Sequence, residues 1–187
     1  MRIVAGTWRG RALAAPPGTT TRPTADRVRQ ALFDMLLHAP WAGRARIVGA
    51  RVLDGFAGTG ALGLEALSRG AAHATFIEPD RAALASLRAN IAACQAAAQT
   101  TVLAGDSTRP KPCRPLGTPC DLIFLDPPYG KDLVPRAVAA LRAAGWIAAD
   151  ALLVVETGRD EALPPLGALL AERDHGAARL RFWQVRG

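Results

Sequence analysis

The stretch Asp121-Leu-Ile-Phe-Leu-Asp-Pro-Pro-Tyr129 runs four apolar residues, Leu122 to Leu125, straight into a carboxylate, two prolines and an aromatic. An apolar run of this length, bounded by breakers, reads as a strand buried on both faces. Proline cannot continue a sheet ladder, so the strand is expected to end at Asp126. Open α/β sheets bind ligands at the carboxyl ends of their strands, which puts Asp126 at a ligand-binding edge. Pro127 and Pro128 stiffen the turn, so the Asp126 carboxylate and the Tyr129 ring leave it in set directions. A rigid acceptor beside a flat aromatic suits a planar ligand that bears N–H groups.

Outward from this strand the pattern alternates. Upstream, Val52-Leu53-Asp54 is a short strand, residues 55–60 form a turn, and Ala61 to Arg69 a helix closed by Gly70. Ala74 to Glu78 is a second strand. Asp80 caps a helix along Leu84, Leu87 and Ile91, and Thr100 to Ala104 is a third strand. Pro110, Pro112, Pro115 and Pro119 crowd one segment, which is expected to be a loop. Downstream, Asp132 caps a helix through Val134, Val138 and Leu141 that ends at Gly145, and Ala151 to Glu156 is a fifth strand. Leu169 to Glu172 and Leu180 to Val185, joined around Gly176, close the chain as a hairpin. Strands alternating with helices imply an α/β fold: a mostly parallel seven-stranded sheet with right-handed crossovers and a closing antiparallel hairpin.

The first third is different. Residues 1–18 read as a short β-hairpin and turn, followed by a Thr-rich linker to Arg22-Pro23. Thr24 is a plausible N-cap for a helix over about 25–38, with Val28, Leu32, Met35 and Leu36 on one face. Arg27 and Arg29 lie off that stripe and can face a ligand or solvent. The 187 residues are expected to form one domain, with 1–23 a basic extension and 51–187 the catalytic sheet core.

Charge follows the same division. The formal net charge is +7, and residues 1–51 hold nine arginines against two acids, Asp26 and Asp34. That leaves 14 of the 23 basic and 14 of the 16 acidic side chains for the rest, which is neutral. Such asymmetry points to a polyanion met by the amino-terminal segment, and arginine suits phosphate contacts and base stacking. Trp8 between Arg9 and Arg11 can stack on a base, or it can pin the hairpin to the domain. No apolar run reaches membrane-spanning length, and the amino terminus lacks the apolar core of a signal peptide. Cys94, Cys113 and Cys120 have no metal-ligand spacing. They read as reduced thiols of a cytoplasmic protein, with no metal expected.

A cofactor loop precedes the first helix of the sheet. Asp54-Gly-Phe-Ala-Gly58-Thr-Gly60 follows a strand and opens a helix, where glycines admit close ligand approach. Glu78 ends the next strand, where a carboxylate can accept from ribose hydroxyls. Asp106 follows the third strand, placed to meet an adenine amino group. The glycines read G-x-x-G-x-G rather than the dinucleotide pattern. An acid just before the loop suits an amine-bearing ligand better than a pyrophosphate, and this favours S-adenosylmethionine. Capping or surface charge is the plainer alternative for Asp54 and Glu78.

Asp126-Pro127-Pro128-Tyr129 would then be the acceptor side. An exocyclic amine is a poor nucleophile because its lone pair is conjugated into the ring. Hydrogen bonds to Asp126 and to the Pro127 carbonyl would draw the nitrogen toward tetrahedral geometry, and Tyr129 would stack on a base moved out of its strand. A rigid turn with Tyr129 as packing is the alternative.

Three blocks together resemble the RsmD family of bacterial 16S rRNA guanine-N2 methyltransferases. They are Arg22-Pro-Thr-Ala-Asp-Arg-Val-Arg-Gln-Ala-Leu-Phe33, Asp54-Gly-Phe-Ala-Gly-Thr-Gly-Ala-Leu-Gly-Leu-Glu-Ala-Leu-Ser-Arg-Gly70 and Asp126-Pro-Pro-Tyr129. The resemblance implies a class I S-adenosylmethionine-dependent methyltransferase fold. It also implies action on a guanine of 16S rRNA, at position 966 in the usual rRNA numbering, in the 30S subunit or its assembly intermediate; a monomer is the default expectation. Carried onto this chain, Asp54, Phe56, Ala57, Gly58, Gly60, Glu78, Asp106 and Asp126 bind cofactor. Arg22, Thr24 and Arg27 close over the cofactor's amino-acid end. Asp126 to Tyr129 hold the guanine amine, and Trp8, Arg9 and Arg11 lie on rRNA. The proline-crowded segment 109–119 stands where the family would have a helix.

Two rivals share parts of this reading. Other amino-group methyltransferases, acting on adenine N6 or cytosine N4 in DNA or on a glutamine amide, present a similar N–H donor to the same kind of turn. The amide enzymes usually carry Asn at the position of Asp126, and 187 residues leave little room for a DNA-recognition domain. A non-catalytic RNA-binding assembly factor would keep the arginines without needing Asp54, Glu78 and Asp126 together.

Overall fold

A computed structural model describes residues 1–16 and 23–185. Its elements are α1 (Pro23–His38), β1 (Arg51–Asp54), α2 (Ala61–Ser68), β2 (His73–Glu78), α3 (Arg81–Ala93), β3 (Thr100–Ala104), the single turn α4 (Cys113–Leu116), β4 (Cys120–Leu125), α5 (Leu133–Ala143), β5 (Ile147–Gly158), β6 (Ala168–His175) and β7 (Ala178–Gln184). The strands form one sheet in the order β3-β2-β1-β4-β5-β7-β6. The first five are parallel, and β7 and β6 pair antiparallel beside β5. This is the mostly parallel sheet with a closing antiparallel hairpin expected from the strand–helix alternation, and the class I methyltransferase architecture that the family resemblance implies.

Strand β4 shows why the sheet is rigid at its centre. Leu122 and Phe124 enter the core beneath α1, α2 and α3, while Ile123 and Leu125 enter the core shared with α5. Alternate side chains of one strand thus fill two layers, so both faces must be apolar. β1 and β5 repeat the pattern: Val52 and Val154 point one way, Leu53 and Val155 the other. Each large side chain buried this way contributes roughly 1.5–3 kcal/mol. The carboxyl ends of these strands are therefore held on a stiff frame.

Several boundaries differ from expectation. β4 ends at Leu125, so Asp126 already belongs to the turn. Helix α1 begins at Pro23, which places Thr24 inside the helix rather than at its cap. Proline is favoured at a first helical position because its missing N–H has no partner there anyway. Asp132 precedes α5, but its backbone is left-handed, at φ 51° and ψ 32°, and its side chain makes no capping bond. Asp80 does cap α3, accepting from the Ala83 N–H at 2.8 Å. The proline-crowded segment is a loop apart from the α4 turn. It is tied down by Cys113 N–H on the Ala144 carbonyl at 2.8 Å and by the buried Trp146 indole on the Lys111 carbonyl at 2.8 Å. Among the described residues no helix is long and apolar enough to cross a membrane, and the three cysteines are free and buried.

The amino-terminal segment packs as part of the core. Met1, Ile3 and Gly10 to Leu13 pair across a short antiparallel bridge, and Ile3 and Leu13 are buried. Glu65 of α2, fully buried, accepts from the Val4 N–H at 2.7 Å and the Ala5 N–H at 3.0 Å. It also holds Arg69 at 2.8 Å and Arg29 at 3.6 Å. Arg29, expected at a ligand or in solvent, is buried rather than solvent-exposed, bonded to Asp26 at 2.9 Å and to the Arg2 carbonyl, and it lines the cleft at the sheet edge. A buried guanidinium needs such partners to offset its lost hydration.

Candidate active site

Each of the five parallel strands delivers one carboxylate at or near its carboxyl end. In sheet order these are Asp106, Glu78, Asp54, Asp126 and Glu156. Val52, Phe124 and Val154 all face the α1–α3 side, and side-chain alternation puts Asp54, Asp126 and Glu156 on that same side. All three line one cleft of about 310 Å³, with the Phe56–Thr59 loop as one wall and Met1, Arg29 and Leu32 as another. A more open hollow of about 540 Å³ lies behind the β6–β7 hairpin. There Arg181 is bound to Glu172 at 2.6 Å and Arg179 to Asp174 at 2.6 Å, so few polar groups are left to converge on a ligand.

On the β1–β3 side the carboxylates are already held by backbone N–H groups of nearby loops and of α2. Asp54 accepts from the Gly63 N–H at 3.0 Å. Glu78 accepts from the Gly58 N–H and, through its other oxygen, from the Asp80 N–H, both at 2.8 Å. Asp106 accepts from the Thr108 N–H and hydroxyl, both at 2.8 Å. Two glycines make this possible. Gly60 caps α2 at φ 79°, and a Cβ there would stand 2.3 Å from a Leu87 methyl. A Cβ at Gly63 would stand 2.4 Å from the Phe76 ring, so only glycine lets α2 lie on β2 with its N–H turned to Asp54.

Burial sets the charges apart. Desolvation pushes the Asp54 carboxyl up to about 7, against the Gly63 bond that lowers it and with Glu78 adding repulsion. The Thr108 N–H holds Asp106 below the usual carboxylate range. These are the expected signs for burial and for hydrogen bonding to the charged form.

The β4–β5 side is less satisfied. Asp126 opens into the cleft, and among the described residues no hydrogen bond reaches its carboxylate. Its pKa is raised well above the ordinary value, first by desolvation and then by Glu156 and Asp54. Pro127 is buried, while Pro128 and Tyr129 are exposed. The Tyr129 hydroxyl donates to Glu156 Oε1 at 2.7 Å, and the ring lies along Gly158. Burial also raises Glu156, with the Tyr129 bond opposing.

Phe56, Ala57 and Gly58 line the cleft as expected, and Gly60 sits behind it as the start of α2. Glu78 and Asp106 stand at the same sheet edge without lining the cleft itself. Trp8 is half-buried with its side chain against the core, and its backbone N–H donates to Ser68 Oγ at 3.0 Å, so this segment is pinned to α2. Arg9 is exposed, whereas Arg11 donates to the Ala93 carbonyl at the end of α3. Arg27 is exposed on α1; Arg22 lies outside the described residues, as does the side chain of Thr24. Glu156 and Met1 line the cleft without a role expected from the sequence, whereas Arg29 was expected to face a ligand or solvent. For Glu156 a signal existed, since it ends an apolar run just as Glu78 does.

The chain matches the family model described as conserved hypothetical protein 95 over residues 1–184. It is 42% identical over 187 residues to the ribosomal RNA small subunit methyltransferase D of Escherichia coli K12, covering 98% of this chain and 89% of that one. The protein of the same name from Haemophilus influenzae is 36% identical, covering 98% and 93%. A solved structure of an Escherichia coli protein described as a methyltransferase superposes with a TM-score of 0.80 at 38% identity, covering 100% and 98%. The fold is shared further with the Thermus thermophilus 16S rRNA N2 G1207 methyltransferase, solved with AdoMet and guanosine. There the TM-score is 0.68 at 20% identity, covering 91% of this chain and 45% of that one. By the family model and by the near-full-length identity to these relatives, the chain belongs to the ribosomal RNA small subunit methyltransferase D family.

Proposed function

We propose that the protein methylates the exocyclic N2 amine of a guanine in 16S rRNA, using S-adenosylmethionine. The observation that carries this reading is the division of one row of carboxylates. Those of β1–β3 are fixed by backbone N–H groups, while Asp126 and Glu156 of β4–β5 face the same cleft with acceptor capacity to spare. The names of the relatives support rRNA as the substrate class, and position 966 follows from the family resemblance.

The residues present fit the cofactor. Its ammonium, ribose hydroxyls and adenine amine are all donors, and the edge offers carboxylates in a row. Asp54 would meet the ammonium, which favours its charged form. Each Glu78 oxygen already accepts one N–H but has a second lone-pair site for a ribose hydroxyl. Asp106 would take the adenine amine, and Phe56 to Gly58 with Gly60 would form the loop beneath. Arg22, Thr24 and Arg27 would close over the amino-acid carboxylate. When bound, S-adenosylmethionine supplies an electrophilic methyl group on a sulfonium and leaves as the neutral thioether.

The chain's own part is to present the amine. Asp126 and the Pro127 carbonyl accept its two N–H groups and turn its lone pair out of conjugation. Tyr129, fixed at its hydroxyl by Glu156, offers a ring face to the base. The raised pKa of Asp126 makes it a better acceptor for the proton that leaves the amine after methylation. Trp8, Arg9 and Arg11 mark the side that would face rRNA, with Arg9 exposed and Arg11 tied to the Ala93 carbonyl. The substrate would be the 30S subunit or its assembly intermediate, met in the cytoplasm by a monomer.

The test is transfer of labelled methyl groups to small subunits from a strain lacking the modification, mapped by mass spectrometry. N2-methylguanine at one site is expected. Transfer to DNA or to a protein, with none to subunits, would sink the assignment.

A further inference from the structure

We propose that Glu156 is the residue that selects guanine: its Oε2 accepts the N1–H of the same base whose N2 amine Asp126 holds. The inference rests on the methyl-transfer reading above. Leu125 pairs with Val155 across β4 and β5, so the next residues, Asp126 and Glu156, leave neighbouring strand ends. Adjacent strands lie about 4.8 Å apart, and both carboxylates line the cleft. Two acceptors side by side match two donors side by side.

Among the amines in question only one has a donor next to it. Guanine N2 is flanked by N1–H. Adenine N6 has the lone pairs of N1 and N7 beside it, cytosine N4 has that of N3, and a glutamine amide nitrogen has its carbonyl oxygen. A second carboxylate beside Asp126 attracts the guanine edge and repels the others. Glu156 is also oriented for this, because Tyr129 occupies Oε1 and no described residue bonds Oε2. The pair repels itself when empty, and a ligand bringing two N–H groups relieves that repulsion.

The test uses small subunits reconstituted with guanine or 2,6-diaminopurine at the methylated position. The analogue keeps the 2-amine but has a lone pair at N1. The native protein is expected to prefer guanine by roughly a hundredfold in kcat/KM, since a half-buried acceptor facing a lone pair is left unpaired and repelled. In Glu156→Gln the amide can donate to the analogue's N1, so the ratio should fall at least about tenfold toward or past unity. Tyr129→Phe, which keeps the carboxylate, should slow both substrates and preserve the ratio.

If the native protein takes both bases equally, the inference is overturned while the reaction stands. The same holds if Glu156→Gln slows both by one factor, which would make Glu156 only a holder of Tyr129. If native protein leaves guanine subunits unmethylated, the reaction itself fails and the inference with it. The native ratio needs no variant, so misfolding of Glu156→Gln cannot hide the answer.

Discussion

The two halves of the strand edge solve opposite problems with the same functional group. On the β1–β3 side, carboxylates are committed: Asp54 holds the Gly63 N–H of α2, Glu78 the Gly58 and Asp80 N–H groups, and Asp106 the Thr108 N–H. On the β4–β5 side, Asp126 holds nothing among the described residues, and Glu156 holds only Tyr129. The first half is built before its ligand arrives. The second half stays electrostatically strained until donors reach it. A site that binds one diffusible ligand and one base pulled from a larger particle gains from this split, because the fixed half needs no ordering at the moment the base enters.

The sharpest way to break the comparison is Asp126→Ala. Methyl transfer should fall by at least about a hundredfold, as when a single oriented polar group is lost from a reacting centre. Cofactor affinity by calorimetry should stay within about tenfold, roughly 1.4 kcal/mol. Equal loss of both would mean that Asp126 serves the cofactor half.

A smaller effect separates charge from hydrogen bonding at Asp54. Its folded pKa is raised to about 7 from 3.8, so the folded state holds a proton that the unfolded state has released between those values. Its contribution to stability is therefore present at low pH and declines as pH rises from about 4 to about 7, at up to ~1.4 kcal/mol per unit. Above 7 it is flat. Asp54→Asn keeps an acceptor for Gly63 but cannot ionise. Denaturant titrations of cofactor-free protein should show the variant gaining on the native chain across that window. A constant difference would show that Asp54 is charged throughout.

The smallest expected effect sharpens the contrast directly. Glu78→Gln leaves only one acceptor oxygen for the Gly58 and Asp80 N–H groups, an unsatisfied donor costing about 1–3 kcal/mol. Thermal melts should fall by about 2–4 °C per kcal/mol. Glu156→Gln, which removes one member of a repelling pair, should melt no lower than the native chain. If both variants lose stability alike, the two halves are not built differently.

Much of this was legible in the residues. The run Leu122 to Leu125 and its proline stop gave the strand and the edge, because burial on two faces and a missing donor act locally. The strand-ending acids Asp54, Glu78 and Asp126 were visible for the same reason. What escaped depended on contacts across long separations. Nothing local to Arg29 shows that Glu65 and the Arg2 carbonyl will bury it. Asp132 has the composition of a cap, but a left-handed backbone turns its carboxylate away. Trp8 between arginines looks like a stacking platform, and only the core beneath its side chain shows that it anchors. Glu156 was read as the end of a strand; its neighbour across the sheet gives it a role.

Glu65 changes how the amino-terminal arm is to be handled. It sits fully buried in α2, the helix that Gly60 starts, and it holds two amides of the arm and two guanidiniums. Trimming the arm would strip those amides from a sealed carboxylate and loosen the helix that follows the Phe56–Thr59 loop. A shortened chain that no longer methylates its target would thus report a damaged frame, and could not be scored as a lost grip on RNA. Point changes at exposed Arg9 leave that frame untouched and are the cleaner probe.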